Sequence, residues 1–241
     1  MATAVHPILN TPDTPSRSAR IRSFVLRAGR MTTAQQRGWD EGFPRFGLDI
    51  GAGAIDWDST FGGAGHRVVE IGFGMGDSLL TMAQAQPDSQ FVGVEVHRPG
   101  VGKLLAGLLA QHVSNVRVYA EDAVEVFERA LTSASLDAVH IYFPDPWHKK
   151  RHHKRRLIQP ALVALLASRL RPNGVLHLAT DWQPYAEHMA EVLAAEPLLE
   201  NTVAQGPYAP RPAYRPLTKF EQRGQRLGHG VWDLLYRRRA P

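Results

Sequence analysis

From residue 66 onward, short apolar runs alternate with helix-like stretches, and this alternation limits the fold more than any other feature of the chain. His66-Arg67-Val68-Val69-Glu70-Ile71-Gly72 reads as a strand, Asp77 to Ala85 as a helix stopped by Pro87, and Phe91 to Glu95 as a second strand. Val101 to His112 is helical, Val116 to Tyr119 a strand, and Ala123 to Leu131 a helix. Leu136 to Phe143 is the next strand, halted at Pro144-Asp145-Pro146. Then come a helix from Pro160 to Leu170, a turn at Pro172-Asn173-Gly174, a strand from Val175 to Thr180 and a helix from Tyr185 to Ala195. Val231 to Arg237 reads as a late strand. Such alternation predicts an α/β fold, a mostly parallel sheet with helices on both faces. Ligands of such sheets bind beyond the carboxyl ends of the strands. Residues 46–66, with Gly47, Gly51, Gly53, Gly62, Gly63 and Gly65, are expected to form a flexible loop.

The first strand runs into Glu70-Ile71-Gly72-Phe73-Gly74-Met75-Gly76-Asp77. Three glycines at alternate positions let the backbone turn tightly and approach a ligand closely. A dinucleotide enzyme favours G-x-G-x-x-G, which makes room for a pyrophosphate at a helix N-terminus. The compressed spacing of Gly72, Gly74 and Gly76 instead suits S-adenosylmethionine, which has no phosphate and carries an amino-acid moiety. Glu95 ends the second strand, where a carboxylate accepts hydrogen bonds from ribose hydroxyls. Asp122 ends the third, within reach of an adenine edge. Glu70, Glu95 and Asp122 at three successive strand ends are a stronger signal than the glycines alone. The plain alternative is that the glycines make ordinary turns and the acids cap helices. The expected fold is therefore a Rossmann-like, class I S-adenosylmethionine-dependent methyltransferase with a late antiparallel strand.

The fourth strand ends in Ile141-Tyr142-Phe143-Pro144-Asp145-Pro146-Trp147. Two prolines restrict the backbone around Asp145 and hold its carboxylate at the sheet's carboxyl edge. An acid between two prolines with aromatic flanks is similar to the motif of methyltransferases acting on planar nitrogen. A carboxylate accepts two hydrogen bonds, matching the N1–H and N2–H₂ donors of guanine. N7 of guanine carries a lone pair and no proton, so its methylation needs in-line positioning and no general base. A nearby carboxylate stabilises the positive charge that develops on the ring. Asp145 alone could also be a turn residue that caps the next segment.

His148-Lys149-Lys150-Arg151-His152-His153-Lys154-Arg155-Arg156 follows directly, nine residues that are all basic or histidine. Such runs are usually solvated. This one abuts the candidate catalytic turn, where Lys and Arg would grip phosphates. No metal site is expected, because His152 and His153 are adjacent and no acid lies near them. Arg17, Arg20, Arg22, Arg27, Arg30 and Arg37, interleaved with Phe24, form a second basic region that either wraps RNA or keeps a segment soluble. The net charge of +5 agrees with a polyanionic partner.

With 241 residues, 44% of them hydrophobic, the chain suits one α/β domain over residues 21–241 behind a disordered tail at 1–20. That tail lacks the apolar core of a secretory signal, and Asp13, Pro7, Pro12 and Pro15 argue against an amphipathic transit helix. No apolar run is long enough to span a membrane. The absence of cysteine excludes disulfides, thiolate catalysis and cysteine-type zinc sites. A cytoplasmic enzyme is the expectation.

Together these residues resemble the tRNA (guanine-N7-)-methyltransferases of the bacterial single-subunit type, from about residue 21 onward. The resemblance rests on Ile21-Arg22-Ser23-Phe24-Val25 with Gly29-Arg30-Met31-Thr32, the Glu70–Gly76 loop, and Gly93-Val94-Glu95-Val96-His97. Phe143 to Arg156 and Arg215-Pro216-Leu217-Thr218-Lys219-Phe220-Glu221-Gln222-Arg223-Gly224 carry it further. It implies that Glu70, Glu95, Asp122 and Asp145 contact the cofactor, and that Asp145 is catalytic. It further implies that Lys149, Asp181 and Thr218, Lys219, Phe220 and Glu221 bind the substrate, the variable-loop guanosine at position 46 of tRNA. A monomer or homodimer without an obligate partner subunit is implied as well. Read from the residues alone, Asp181 is equally an N-cap of the following helix. Thr218-x-x-Glu221 has the form of a capping box.

Overall fold

The structure, a computed structural model, describes residues 30–217, 221 and 230–240. Among them, seven strands form one sheet: β1 (His66–Ile71), β2 (Ser89–Val94), β3 (Val116–Tyr119), β4 (Leu136–Tyr142), β5 (Leu170–Thr180), β6 (Leu199–Asn201) and β7 (Trp232–Arg238). Their spatial order is β3-β2-β1-β4-β5-β7-β6. The first five run parallel, and β7 lies antiparallel to both of its neighbours. The chain leaves β3 at one edge and re-enters the sheet on the far side of β1, at β4. The crevice at that reversal opens beyond the ends of β1 and β4.

The expected Rossmann-like sheet and its late antiparallel strand are both present. β6 escapes sequence reading because three residues are too few to establish an alternation. The turn at Pro172-Asn173-Gly174 lies within β5 as an irregularity, with Asn173 at φ +66° and the pairing with β4 shifting between Leu136 and Ala138.

Seven helices flank the sheet in the described residues: α1 (Thr33–Phe46), α2 (Trp57–Phe61), α3 (Asp77–Ala85), α4 (Arg98–Ala110), α5 (Ala123–Arg129), α6 (Pro160–Arg169) and α7 (Gln183–Ala194). α1 begins with a capping box, the Thr32 hydroxyl accepting from Gln35 N–H and the Gln35 side chain accepting from Thr32 N–H. It lies close against α4 because both present glycine. A methyl group on Gly38 would meet the Gly102 carbonyl oxygen at 2.3 Å, and one on Gly102 would meet the Gln35 carbonyl oxygen at 2.3 Å.

Residues 46–66 are not the flexible loop that their glycine content suggests. Asp49 caps a 3₁₀ turn at Ile50–Ala52, Asp56 caps α2, and Gly62 ends that helix in the left-handed conformation. Ile50 and Trp57 are buried in the core, and Ile55 N–H donates to the Ala130 carbonyl at 2.9 Å. Two capped turns with two apolar anchors fix the segment.

The two faces of the sheet differ. On one, Val69, Ile71, Val139, Ile141, Leu176 and Leu178 pack against α5, α6 and α7. On the other, Val68, Phe91, Val116 and Ala138 pack against α3 and α4, with α1 outside them. The remainder of this second face, on β4, β5 and β7, carries buried His140, His177 and Asp233. Tyr214, Arg215 and Glu221 cover it in place of a helix. The tail expected at residues 1–20, with Ile21 to Gly29, lies outside the described residues, as do Thr218, Lys219 and Phe220.

Candidate active site

The glycine loop leaves β1 with Gly72, Gly74 and Gly76 all at positive φ, +74°, +58° and +79°. Side-chain-bearing residues rarely adopt that conformation, which explains the alternate glycines. The loop is tied back by Gly72 N–H to the Val94 carbonyl at 2.8 Å. Gly74 N–H donates to Glu95 Oε2 at 2.9 Å, and His97 N–H donates to Glu95 Oε1 at 2.9 Å. Each Glu95 oxygen thus spends one lone pair on the backbone, and the rigid carboxylate keeps acceptor capacity for a ligand.

A cavity of about 230 Å³ lies at the crevice. Gly72, Glu95, Asp122 and Asp145 line it together, with Leu157 and Val124 among its apolar walls. Asp122 also caps α5, its Oδ1 accepting from Val124 N–H at 2.9 Å and Glu125 N–H at 3.4 Å. The helix-cap and ligand-facing readings of this residue are therefore both compatible with its position. Gly74, Gly76 and Glu70 do not line the cavity. Glu70 is buried within β1, its Oε2 without a hydrogen-bond partner among the described residues. Burial first, and the Glu95 charge second, push its pKa up to about 8.

Beyond β4 the backbone is strained. Phe143 has φ +51° and Trp147 φ +47°. Phe143 precedes a proline, a place where extended backbone is the norm. Its N–H is held by the Ala179 carbonyl at 2.8 Å. Asp145 sits exposed between the two prolines, on the lip of the cavity.

The basic run folds as a 3₁₀ helix over Lys150–Arg155. Lys149, Lys150, Arg151, Lys154 and Arg155 are exposed. Arg156 departs from the phosphate-gripping expectation: it is buried, donates to the Pro146 carbonyl at 3.0 Å and lies 4.7 Å over the Tyr185 ring. It clamps the far end of the proline turn. Arg155 covers the Trp147 ring at 5.1 Å, and His148 meets exposed Trp182 edge-on at 4.4 Å.

Asp181 follows the end of β5 on the same rim, half-buried. Trp182 is the N-cap residue of α7 and no side chain caps that helix, so Asp181 is not held by capping. Glu221 is buried, with Oε2 accepting from Arg215 Nη1 at 2.7 Å and Oε1 from Nη2 at 2.8 Å. It braces Arg215 instead of facing solvent. Arg215, Asp233, His177 and Tyr142 form a network that sequence reasoning did not assign. Its one advance signal was polar residues on the inward side of β5 and β7.

The fold, the glycine loop and the carboxylate-lined cavity together define a Rossmann-like methyltransferase. A family model described as "Putative methyltransferase" matches residues 65–234. A tRNA (guanine-N(7)-)-methyltransferase of Burkholderia cenocepacia is 61% identical over 94% of this chain and 88% of its own. One of Ectopseudomonas mendocina is 59% identical over 90% and 92%. The chain belongs to the tRNA (guanine-N(7)-)-methyltransferase family. Among solved structures, the 16S rRNA methyltransferase KamB shares the fold, with a TM-score of 0.52 at 14% identity over 92% of this chain and 99% of that one. No helix of the described residues is long and apolar enough to cross a membrane.

Proposed function

We propose that this chain transfers the methyl group of S-adenosylmethionine to N7 of guanine at position 46, in the variable loop of tRNA, with Asp145 acting at the transfer step. The observation that carries this reading is the convergence of Glu95, Asp122 and Asp145 on one cavity whose lip continues into the exposed cations Lys149 to Arg155. The names of the relatives support the same substrate.

The cavity residues fit the cofactor. Glu95, fixed by two backbone amides, keeps lone pairs for ribose hydroxyls. Asp122, on the cavity wall, would accept from the adenine edge, and Gly72 would let the donor lie against bare backbone. S-adenosylmethionine supplies an electrophilic methyl group. Asp145 accepts from the guanine N1–H and N2–H₂ edge, which orients N7 in line, and its charge offsets the positive charge gained by the ring. No proton leaves N7, so no general base is required. Lys149, Arg151, Lys154 and Arg155 hold phosphates, and Asp181 borders the base from β5. The protein works in the cytoplasm as a monomer or homodimer, without a partner subunit.

The test is transfer of label from S-adenosylmethionine to unmodified tRNA transcripts, followed by cleavage at N7-methylguanosine. Label without N7-specific cleavage would point to another nucleic-acid position. Tight tRNA binding without transfer would point to a binding scaffold. Asp145→Ala is expected to lower transfer by at least about 100-fold with tRNA affinity nearly unchanged.

A further inference from the structure

We propose that Arg215 is a positioning residue for methyl transfer, tying Glu221 and Asp233 to the turn that presents Asp145. The inference rests on the reading of Asp145 given above. Arg215 is 1% exposed, yet two carboxylates share its guanidinium. Glu221 takes Nη1 and Nη2, while Asp233 of β7 takes Nε at 2.7 Å and Nη2 at 2.9 Å. Both pairs are bidentate, a fork that a lysine ammonium cannot reproduce.

The cation also lies against the catalytic edge. Its guanidinium carbon is 5.8 Å from the Tyr142 ring centroid and 5.6 Å from that of Phe143. These are the last residue of β4 and the strained residue immediately before Pro144-Asp145. Asp233 extends the grip: its Oδ1 lies 2.8 Å from His177 Nε2, and His177 Nδ1 lies 3.0 Å from the hydroxyls of both Tyr142 and Tyr214. The bonding pattern assigns His177 as the neutral tautomer with its proton on Nε2, so that Nδ1 accepts. A non-glycine residue at φ +51° before proline persists only when its surroundings hold it. The Ala179 carbonyl holds Phe143 along the sheet, and Arg215 holds it from the loop-covered second face. Arg215 thereby connects Glu221 and β7 to the turn at Phe143, elements far apart in sequence.

Single-turnover transfer, expressed per S-adenosylmethionine-binding site and at saturating tRNA, tests this. Arg215→Lys is expected to lower that rate at least tenfold, with dissociation constants for cofactor and tRNA within about twofold of the parent. Glu221→Gln keeps the Asp233 pair and should be slowed to a lesser degree. It also serves if the Arg215 variant folds poorly. A parental rate in Arg215→Lys, or a loss that tracks only the fraction of cofactor-binding sites, would overturn the proposal. So would a defect in tRNA affinity with a parental rate at saturation. Asp145→Ala is measured alongside. Full transfer by that variant sinks the reading of Asp145 and the positioning role with it. An inactive Asp145→Ala beside a parental Arg215→Lys sinks the positioning role alone.

Discussion

At the scale of single residues, the burial of Glu70 carries a cost that depends on pH. An acid whose pKa rises from 4.5 to about 8 on folding binds more protons folded than unfolded throughout that window. Its stabilising contribution is complete below about pH 4.5, falls as pH rises and levels off above pH 8. A shift of this size corresponds to roughly 5 kcal/mol as an upper bound. Glu70→Gln should therefore gain on the parent steadily from pH 5 to pH 8.5 in denaturant unfolding, and parallel pH profiles would refute this origin. If Glu70 receives the ammonium group of the cofactor, binding at pH 7 expels its proton, which calorimetry in buffers of different ionisation enthalpy detects. The sequence made the acids at three strand ends visible but not their separate fates. Glu95 and Asp122 reach the cavity, whereas Glu70 does not, because Glu70 still lies within β1 while Glu95 and Asp122 lie beyond the last residues of β2 and β3. Arg156 was equally hidden: among nine basic or histidine residues, nothing local marks the one drawn inward by Pro146 and Tyr185.

At the scale of elements, the glycine loop and the basic 3₁₀ helix make opposite demands. A methyl group on Gly74 meets nothing within 4 Å, so Gly74→Ala is strained by φ alone. It should cost about 1–2 kcal/mol, seen as weaker cofactor binding or a lower melting temperature, and unchanged values for both would remove the conformational argument. In the basic helix, joint replacement of Lys149, Arg151, Lys154 and Arg155 by glutamine should lower tRNA affinity and flatten its log–log salt slope by about 3. Arg156→Ala should instead lower the melting temperature while leaving the salt slope in place. Strands and helices with a clean apolar period were legible almost to the residue, as in α3 and β3. α1 was not, since the face it buries includes Gly38 and Gly42, which carry no hydrophobic signal. Only its capping box, Thr32 with Gln35, gave notice. The same blindness made 46–66 look loose, where Ile50 and Trp57 are the anchors.

At the scale of the whole molecule, the second face is apolar and helix-covered on one half, polar and loop-covered on the other. Burial holds His140 and His177 below the ordinary histidine pKa, His140 well below. Their folded forms stay neutral after the unfolded chain has taken protons, so the stability they contribute is present above about pH 6.5 and is lost as pH falls. This opposes the Glu70 effect in the acid range. Glu70→Gln should accordingly show a steeper acid limb than the parent, and adding His140→Asn should flatten it again, as thermal melts at pH 4.5–7 would record. The topology of the sheet was legible because each βα unit announces itself, but the polar half was not: it is assembled from β4, β5, β7 and the stretch around Arg215, which only the finished fold brings together. This has a bearing on biosynthesis. β7 inserts between two strands made earlier, and it brings Asp233 to Arg215. A nascent chain emerging from the ribosome can complete its cofactor crevice from residues 66–157, yet the Arg215 brace behind Phe143 is not anchored to the sheet until residue 233 has cleared the exit tunnel. The enzyme would acquire the means to hold its methyl donor before the means to use it.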